Sequence, residues 1–123
     1  MEKFAAFARI AEIEYSDIVL STQALGTKLR IYLKDTSFVD FYYTTKLGKQ
    51  RFALHWERVH VDGFIYRIDN TPDKKWNNVS TFPIHFHNKI YKDVTPPPFS
   101  MENDLALEKV FRDFFHFVKE NIV

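Results

Sequence analysis

The sequence predicts an α+β fold: one twisted antiparallel β-meander of about five strands, with N- and C-terminal helices packed on one face. Three observations predict it. From Gly26 to Asn70 the apolar residues recur with a period of two, interrupted only by short turns. Residues 3–14 are alanine-rich, with Phe4, Phe7, Ala8 and Ala11 at helical spacing. Near the C-terminus Leu107, Val110, Phe111, Phe114 and Val118 fall on one helical stripe. A length of 123 residues suits one domain spanning 1–123, able to bury roughly two-thirds of its unfolded surface without staples.

Each element has its own local signal. KFAAFARIAEIE reads as a short amphipathic helix, and Asp17 to Ala24, rich in β-branched residues, as a first strand. Leu29, Ile31 and Leu33 alternate with Lys28, Arg30 and Tyr32, the pattern of a half-buried strand. Lys34-Asp35-Thr36 turns the chain into a second aromatic run, Ser37 to Thr44, and Thr45 to Lys49 closes another hairpin. Arg51 to Val59 and Phe64 to Asn70 complete the meander, since consecutive strands joined by short turns pair antiparallel. Regularity then fails for about thirty residues up to Ser100, a length that in a small domain marks a functional or mobile segment. Pro96-Pro97-Pro98 imposes an extended spacer. Ser100 is the expected N-cap of a final helix over about Glu102 to Asn121, with Glu102 and Asp104 complementing its dipole.

Composition excludes several functions. There is no cysteine, hence no disulfide, thiolate metal site or cysteine nucleophile, which fits a reducing cytoplasm. The acidic N-terminal stretch argues against a signal peptide, and no apolar run reaches membrane-spanning length. Seventeen basic residues against sixteen acidic ones leave a net charge of +1, so global charge supplies no drive toward nucleic acid. Lysine groups at Lys46, Lys49 and Arg51, at Lys74 and Lys75, and at Lys89 and Lys92 read first as solvated loop residues and only second as phosphate contacts.

Four of the five histidines lie between Gln50 and His87. On the strand from Arg51, Phe52, Leu54 and Trp56 face one way, and Ala53, His55 and Glu57 the other. On the next strand Phe64, Tyr66 and Ile68 alternate with Ile65, Arg67 and Asp69. The two apolar sets share a face only in registers whose residue numbers sum to an even value, because a slip of one residue would bury the charges. A loop of Val61, Asp62 and Gly63, with glycine in the left-handed position, meets that condition and sets Glu57 opposite Arg67 and His55 opposite Asp69. Such a square is either two exposed charge pairs or a site in which His55 and Glu57 exchange protons while Arg67 binds an anion. His85 and His87 follow in STFPIHFH; on extended chain both rings point to one side. They could donate protons, contact an anion, bond locally, or bind a metal with a third ligand from His55 or Asp69. Two histidines alone do not make a metal site, so no metal and no cofactor is assigned. A site requires the segment after Asn70 to bring them to the polar face.

The succession FALHWER, DGFIYRIDNTP and VSTFPIHFH resembles the TumE family of toxins from prokaryotic type II toxin–antitoxin systems. His55, Tyr66, Arg67, Asp69, Asn70, Thr81, Phe82, Pro83, His85 and His87 stand at the matching positions. Ile84 departs from the pattern, standing where the family frequently carries a histidine, which removes a third ring from that loop; Ile68 also differs from many members. The resemblance implies a small intracellular toxin neutralised by a cognate antitoxin protein.

Two functions compete, with a metal-dependent hydrolase as a third alternative. In the first, the chain is an RNA-directed nuclease with His55 and Glu57 as acid–base candidates, Arg67 as the phosphate ligand, His85 or His87 as a second acid, and Asp69 among the catalytic residues. In the second, it is a non-enzymatic protein-binding domain that grips a partner through the 71–100 loop and aromatic residues such as Tyr42, Tyr43, Trp76 and Phe99.

Overall fold

The computed structural model describes residues 3–46, 48–100 and 106–122. Its centre is a seven-stranded antiparallel sheet in which every strand pairs with its neighbours in sequence: β1 (Val19–Leu25), β2 (Lys28–Leu33), β3 (Phe38–Lys46), β4 (Lys49–Arg58), β5 (Phe64–Asp69), β6 (His85–Lys89) and β7 (Val94–Thr95). The expected meander is present, but with seven strands rather than five. The segment after Asn70 supplies the difference, because β6 and β7 lie within what the sequence presents as an irregular stretch.

Helices from both ends cover one face. Helix α1 (Ala5–Arg9) continues into a π-helical turn, Ile10–Glu14, and Phe4, Phe7, Ile10 and Ala11 are buried. Helix α3 (Leu107–Asn121) buries the expected stripe and adds Phe115 to it. Its N-cap position is Ala106; Glu102 and Asp104, expected in its first turn, lie outside the described residues. Beneath the helices the sheet contributes Leu29, Ile31, Leu33, Val39, Phe41, Phe52, Leu54, Trp56, Ile68 and Phe86, all nearly fully buried. Phe111 meets Phe41 edge to face at 5.1 Å between ring centroids, and Phe7 packs on both. Burial of each such ring contributes about 1.5–3 kcal/mol. Tyr15 ties the two helical segments together by donating to the Arg112 carbonyl at 2.9 Å.

The β4–β5 connection differs from expectation in length but not in parity. Val59–Asp62 closes a single helical turn, α2, and Gly63 follows with φ of +84°, the left-handed position expected of it. The register pairs His55 with Arg67, Trp56 with Tyr66 and Ala53 with Asp69, two residues away from the expected pairing. The reason lies in Arg58. Its Nε donates to Asp62 at 2.8 Å, one helical turn away, and its Nη1 donates to Asp35 at 2.5 Å. The guanidinium also lies 4.6 Å from the centre of the Trp56 ring. A three-residue loop would run β4 on to His60 and remove the helical turn that brings Asp62 back to Arg58.

Arg58 is a buried cation whose partners offset its loss of water. Burial pushes the Asp35 carboxyl up, but bonds from Ser37 and Arg58 outweigh it and hold the group below the ordinary carboxylate range. Ser37 in turn accepts from Trp56 Nε1 at 2.9 Å, joining the network to the core. Truncating Arg58 strands Asp35 in a site it cannot leave. Arg58→Ala is expected to lower the free energy of urea unfolding by about 3 kcal/mol. Because the Asp35 carboxyl is depressed in the folded state, its contribution is present above the unfolded value of about 3.9 and fades as pH falls through the folded one. Acid unfolding curves of Arg58→Ala should therefore show a shallower loss of stability below about pH 4 than the unaltered chain.

Candidate functional site

The face away from the helices carries polar groups in straight rows across the sheet. One row runs Gln23, Arg30, Asp40, His55, Arg67, His87 from β1 to β6, each paired with the next by register. The adjacent row runs Lys28, Tyr42, Ala53, Asp69, His85 from β2 to β6. Alternation on each strand produces both rows, since the residues between them belong to the core. Ala53 is the small member of its row. Its short side chain leaves a depression of about 320 Å³ lined by Thr27, Lys28, Asp40, Tyr42, Ala53, His55, Arg67 and Tyr91.

All six residues expected in the site lie on this face. The pairs within it are not the expected ones. Instead of bonding across the strands, His55 Nε2 contacts Glu57 Oε1 along β4 at 3.1 Å, and Arg67 Nε donates to Asp69 Oδ2 along β5 at 3.0 Å. The two-residue shift in register is responsible, because it sets His55 opposite Arg67 and Glu57 opposite Ile65.

His55 is mostly buried, with 13% of its side chain exposed. Desolvation lowers its proton affinity and the nearby Arg67 charge lowers it further, against the opposing pull of Glu57. A neutral ring that donates from Nε2 to Glu57 carries its lone pair on Nδ1. That Nδ1 is buried and has no hydrogen-bond partner among the described residues. The Tyr91 ring, 55% exposed, stacks beside it with centroids 6.2 Å apart.

Strand β6 brings the remaining histidines in. Asn70 ends β5 by extending the ladder with its side chain: Oδ1 accepts from Phe52 N–H and Nδ2 donates to the Gln50 carbonyl, both at 2.9 Å. The Thr81 hydroxyl donates to the Ile84 carbonyl at 2.6 Å and sets the turn into β6. His85 then lies opposite Asp69, and His87 opposite Arg67. His85 Nε2 is 3.3 Å from Asp69 Oδ1, and its Nδ1 is 3.1 Å from the Pro83 carbonyl. His87 Nδ1 is 2.9 Å from the Tyr91 carbonyl, and burial lowers the proton affinity of that ring. Trp76 lies over both rings, 6.4 and 6.1 Å away between centroids. A metal could draw on Asp69, His85 and His87, the third ligand coming from Asp69 rather than His55.

Lys28, Asp40, Ala53 and Tyr91 join the site without having been singled out by sequence. The alternation of Lys28 and Arg30 with the apolar positions of β2 was the available signal for that half. Burial pushes the Asp40 carboxyl up, but Arg30 at 2.8 Å and Lys28 at 3.1 Å outweigh it and keep the group acidic. Arg67 is differently placed. Among the described residues its two terminal nitrogens have no hydrogen-bond partner, and 32% of its side chain is exposed.

Fold and face together define a small α+β protein with a charged cleft on the open side of the sheet, edged by histidine–carboxylate contacts. The family model described as Toxin TumE matches residues 2–122, and the chain belongs to the TumE toxin family. No curated protein and no solved structure matches it.

The site makes a testable statement about His55. In an NMR titration its ring is expected to protonate below the ordinary histidine value of about 6.5. Glu57→Gln should move the midpoint lower still, by removing the group that favours the charged ring. Arg67→Ala should move it up. A higher midpoint in Glu57→Gln, or a lower one in Arg67→Ala, would show that the ring does not sit between them electrostatically.

Proposed function

We propose that this protein is the toxin of a toxin–antitoxin pair, acting inside the cell as an RNA-directed nuclease on the open face of its single domain, with a cognate antitoxin protein as its partner. The observation that carries the reading is the Arg67 guanidinium. One edge is fixed by Asp69, and the other is directed at the cleft with no competing partner among the described residues. A planar fork held in this way matches two oxygens of a phosphodiester. Lys28 adds a second cation on the same wall.

The neutral His55 ring, oriented by Glu57, is the proton acceptor in this reading. It takes the proton of a ribose 2′-hydroxyl as that oxygen bonds to phosphorus; the phosphorus–O5′ bond breaks, and a second acid protonates O5′. His85 and His87, beside Asp69 and Arg67, are the candidates for that acid. Tyr91 covers His55, and an exposed tyrosine changes rotamer quickly enough to admit substrate.

The protein-binding reading draws less support from the aromatic residues. Phe99 packs against the core and Trp76 over the histidines, so both are committed within the fold. Tyr42 lines the cleft itself.

Arg67→Ala and His55→Ala are each expected to abolish growth arrest and to lower RNA cleavage by about 10²-fold or more, with an unchanged circular-dichroism spectrum. Ala53→Leu tests the cleft separately, since it fills the depression while leaving every titratable group in place. Full toxicity in Ala53→Leu and Arg67→Ala would exclude this face as the toxic surface.

A further inference from the structure

A neutral His85 ring cannot satisfy both of its contacts. Both nitrogens of His85 face acceptors: Nδ1 the Pro83 carbonyl at 3.1 Å, Nε2 the Asp69 carboxylate at 3.3 Å. A neutral ring has only one proton, so one of the two contacts would oppose lone pair to lone pair. A doubly protonated ring would serve both, yet 3.3 Å is long for a charge-assisted bond, which closes to about 2.7–2.9 Å. A cation between the two groups resolves the conflict. Two ligands on one tetrahedral zinc ion, with bonds of 2.0–2.2 Å, stand about 3.3–3.5 Å apart.

The surroundings fit that occupant. His87 lies on the same side of β6, and the ligand atoms of Asp69, His85 and His87 are all within 4.8 Å of one another. Both rings turn Nδ1 toward a backbone carbonyl, of Pro83 and of Tyr91, which places the proton on Nδ1 and the lone pair on Nε2. This is the outer arrangement that orients metal-binding histidines. Asp69 Oδ1 accepts one bond, from Thr71 N–H at 3.0 Å, and keeps a second lone pair on the His85 side. Arg67 holds the other oxygen. All three side chains are buried, with exposures of 4–7%, and Trp76 lies over the two rings. His87 must close by about an ångström to complete the set, and its anchor is the carbonyl of Tyr91 in the β6–β7 turn.

We propose that Asp69, His85 and His87 form a binding site for one divalent transition-metal ion of the zinc type, ligated by the Asp69 carboxylate and Nε2 of each histidine. Three protein ligands leave one position for water or a substrate oxygen. The site shares residues with the nuclease reading but does not depend on it, and if occupied it removes His85 and His87 as direct proton donors.

Binding is read without RNA. Titrating Zn²⁺ into the full chain, free of any affinity tag, should give one equivalent by calorimetry. In the NMR spectrum, of the five histidines only His85 and His87 should shift directly. His87→Ala and Asp69→Asn should each weaken the affinity about tenfold or more, while His116→Ala, exposed on α3, should leave it unchanged. Arg67→Ala should tighten it, because the guanidinium charge opposes the cation. That variant separates the two ideas, being expected to lose cleavage and gain metal affinity. Absence of Zn²⁺ binding to the unaltered chain would overturn the proposal, as would binding that moves the other histidines or survives both ligand substitutions undiminished.

Discussion

The parity of the β4–β5 register is the constraint on which the molecule depends. With Trp56 opposite Tyr66 and Leu54 opposite Ile68, the aromatic surface faces the helices, and His55, Arg67 and Asp69 face away from them. A slip of one residue would exchange the two sets. It would bury charges under α3 and leave Trp56 in water, a reversal costing far more than the net stability of a domain this size. The register thus carries core and site together. Arg58 fixes it by holding Asp62 of the connecting turn and Asp35 of the β2–β3 turn on the same guanidinium.

Helices cover only one side of the sheet, and this asymmetry leaves room for a site. An antiparallel sheet can face solvent on its second side provided that side is polar. Here the polar side is ordered rather than merely wet. Asp40 is held by Lys28 and Arg30, His55 by Glu57, and Arg67 by Asp69, so the charged centre of the rows is held in fixed contacts. Ala53 is the gap among them. A larger residue there would make a continuous surface; alanine makes a cleft whose walls are already charged.

What the sequence made legible follows from which interactions are local. Strand alternation, the left-handed Gly63 and the apolar stripe of α3 are set by neighbours a few residues apart, and all are present. The evenness of the register was also legible, because it follows from the burial of two alternating patterns. Its value was not. The choice between registers two residues apart rests on Arg58 reaching Asp35, 23 positions away, which no local pattern encodes. Strands β6 and β7 were hidden for a similar reason. HFHNK has one apolar residue and β7 has two residues in all, so neither shows a period, and both exist because β5 offers an unpaired edge. The six expected residues share one face as their alternation implies, while their pairings differ from expectation, since membership of a face is local and contact across it is not.

Among the described residues, buried polar side chains outside the site are matched. Ser37 serves Trp56 and Asp35, Arg58 serves two carboxylates, and Asn70 replaces a backbone unit in the ladder. These are solutions to the cost of burial, which exceeds about 1 kcal/mol for each unmet group. Matching fails in two places among the described residues: the unpartnered Nδ1 of His55, and the His85 ring caught between two acceptors. They lie on the two sides of β5, His55 opposite Arg67 and His85 opposite the Asp69 that Arg67 holds. A fold that resolves the comparable conflicts among its other described residues and leaves two beside the Arg67–Asp69 pair has placed its local inconsistency where a ligand would relieve it, which is the pattern expected of a functional surface.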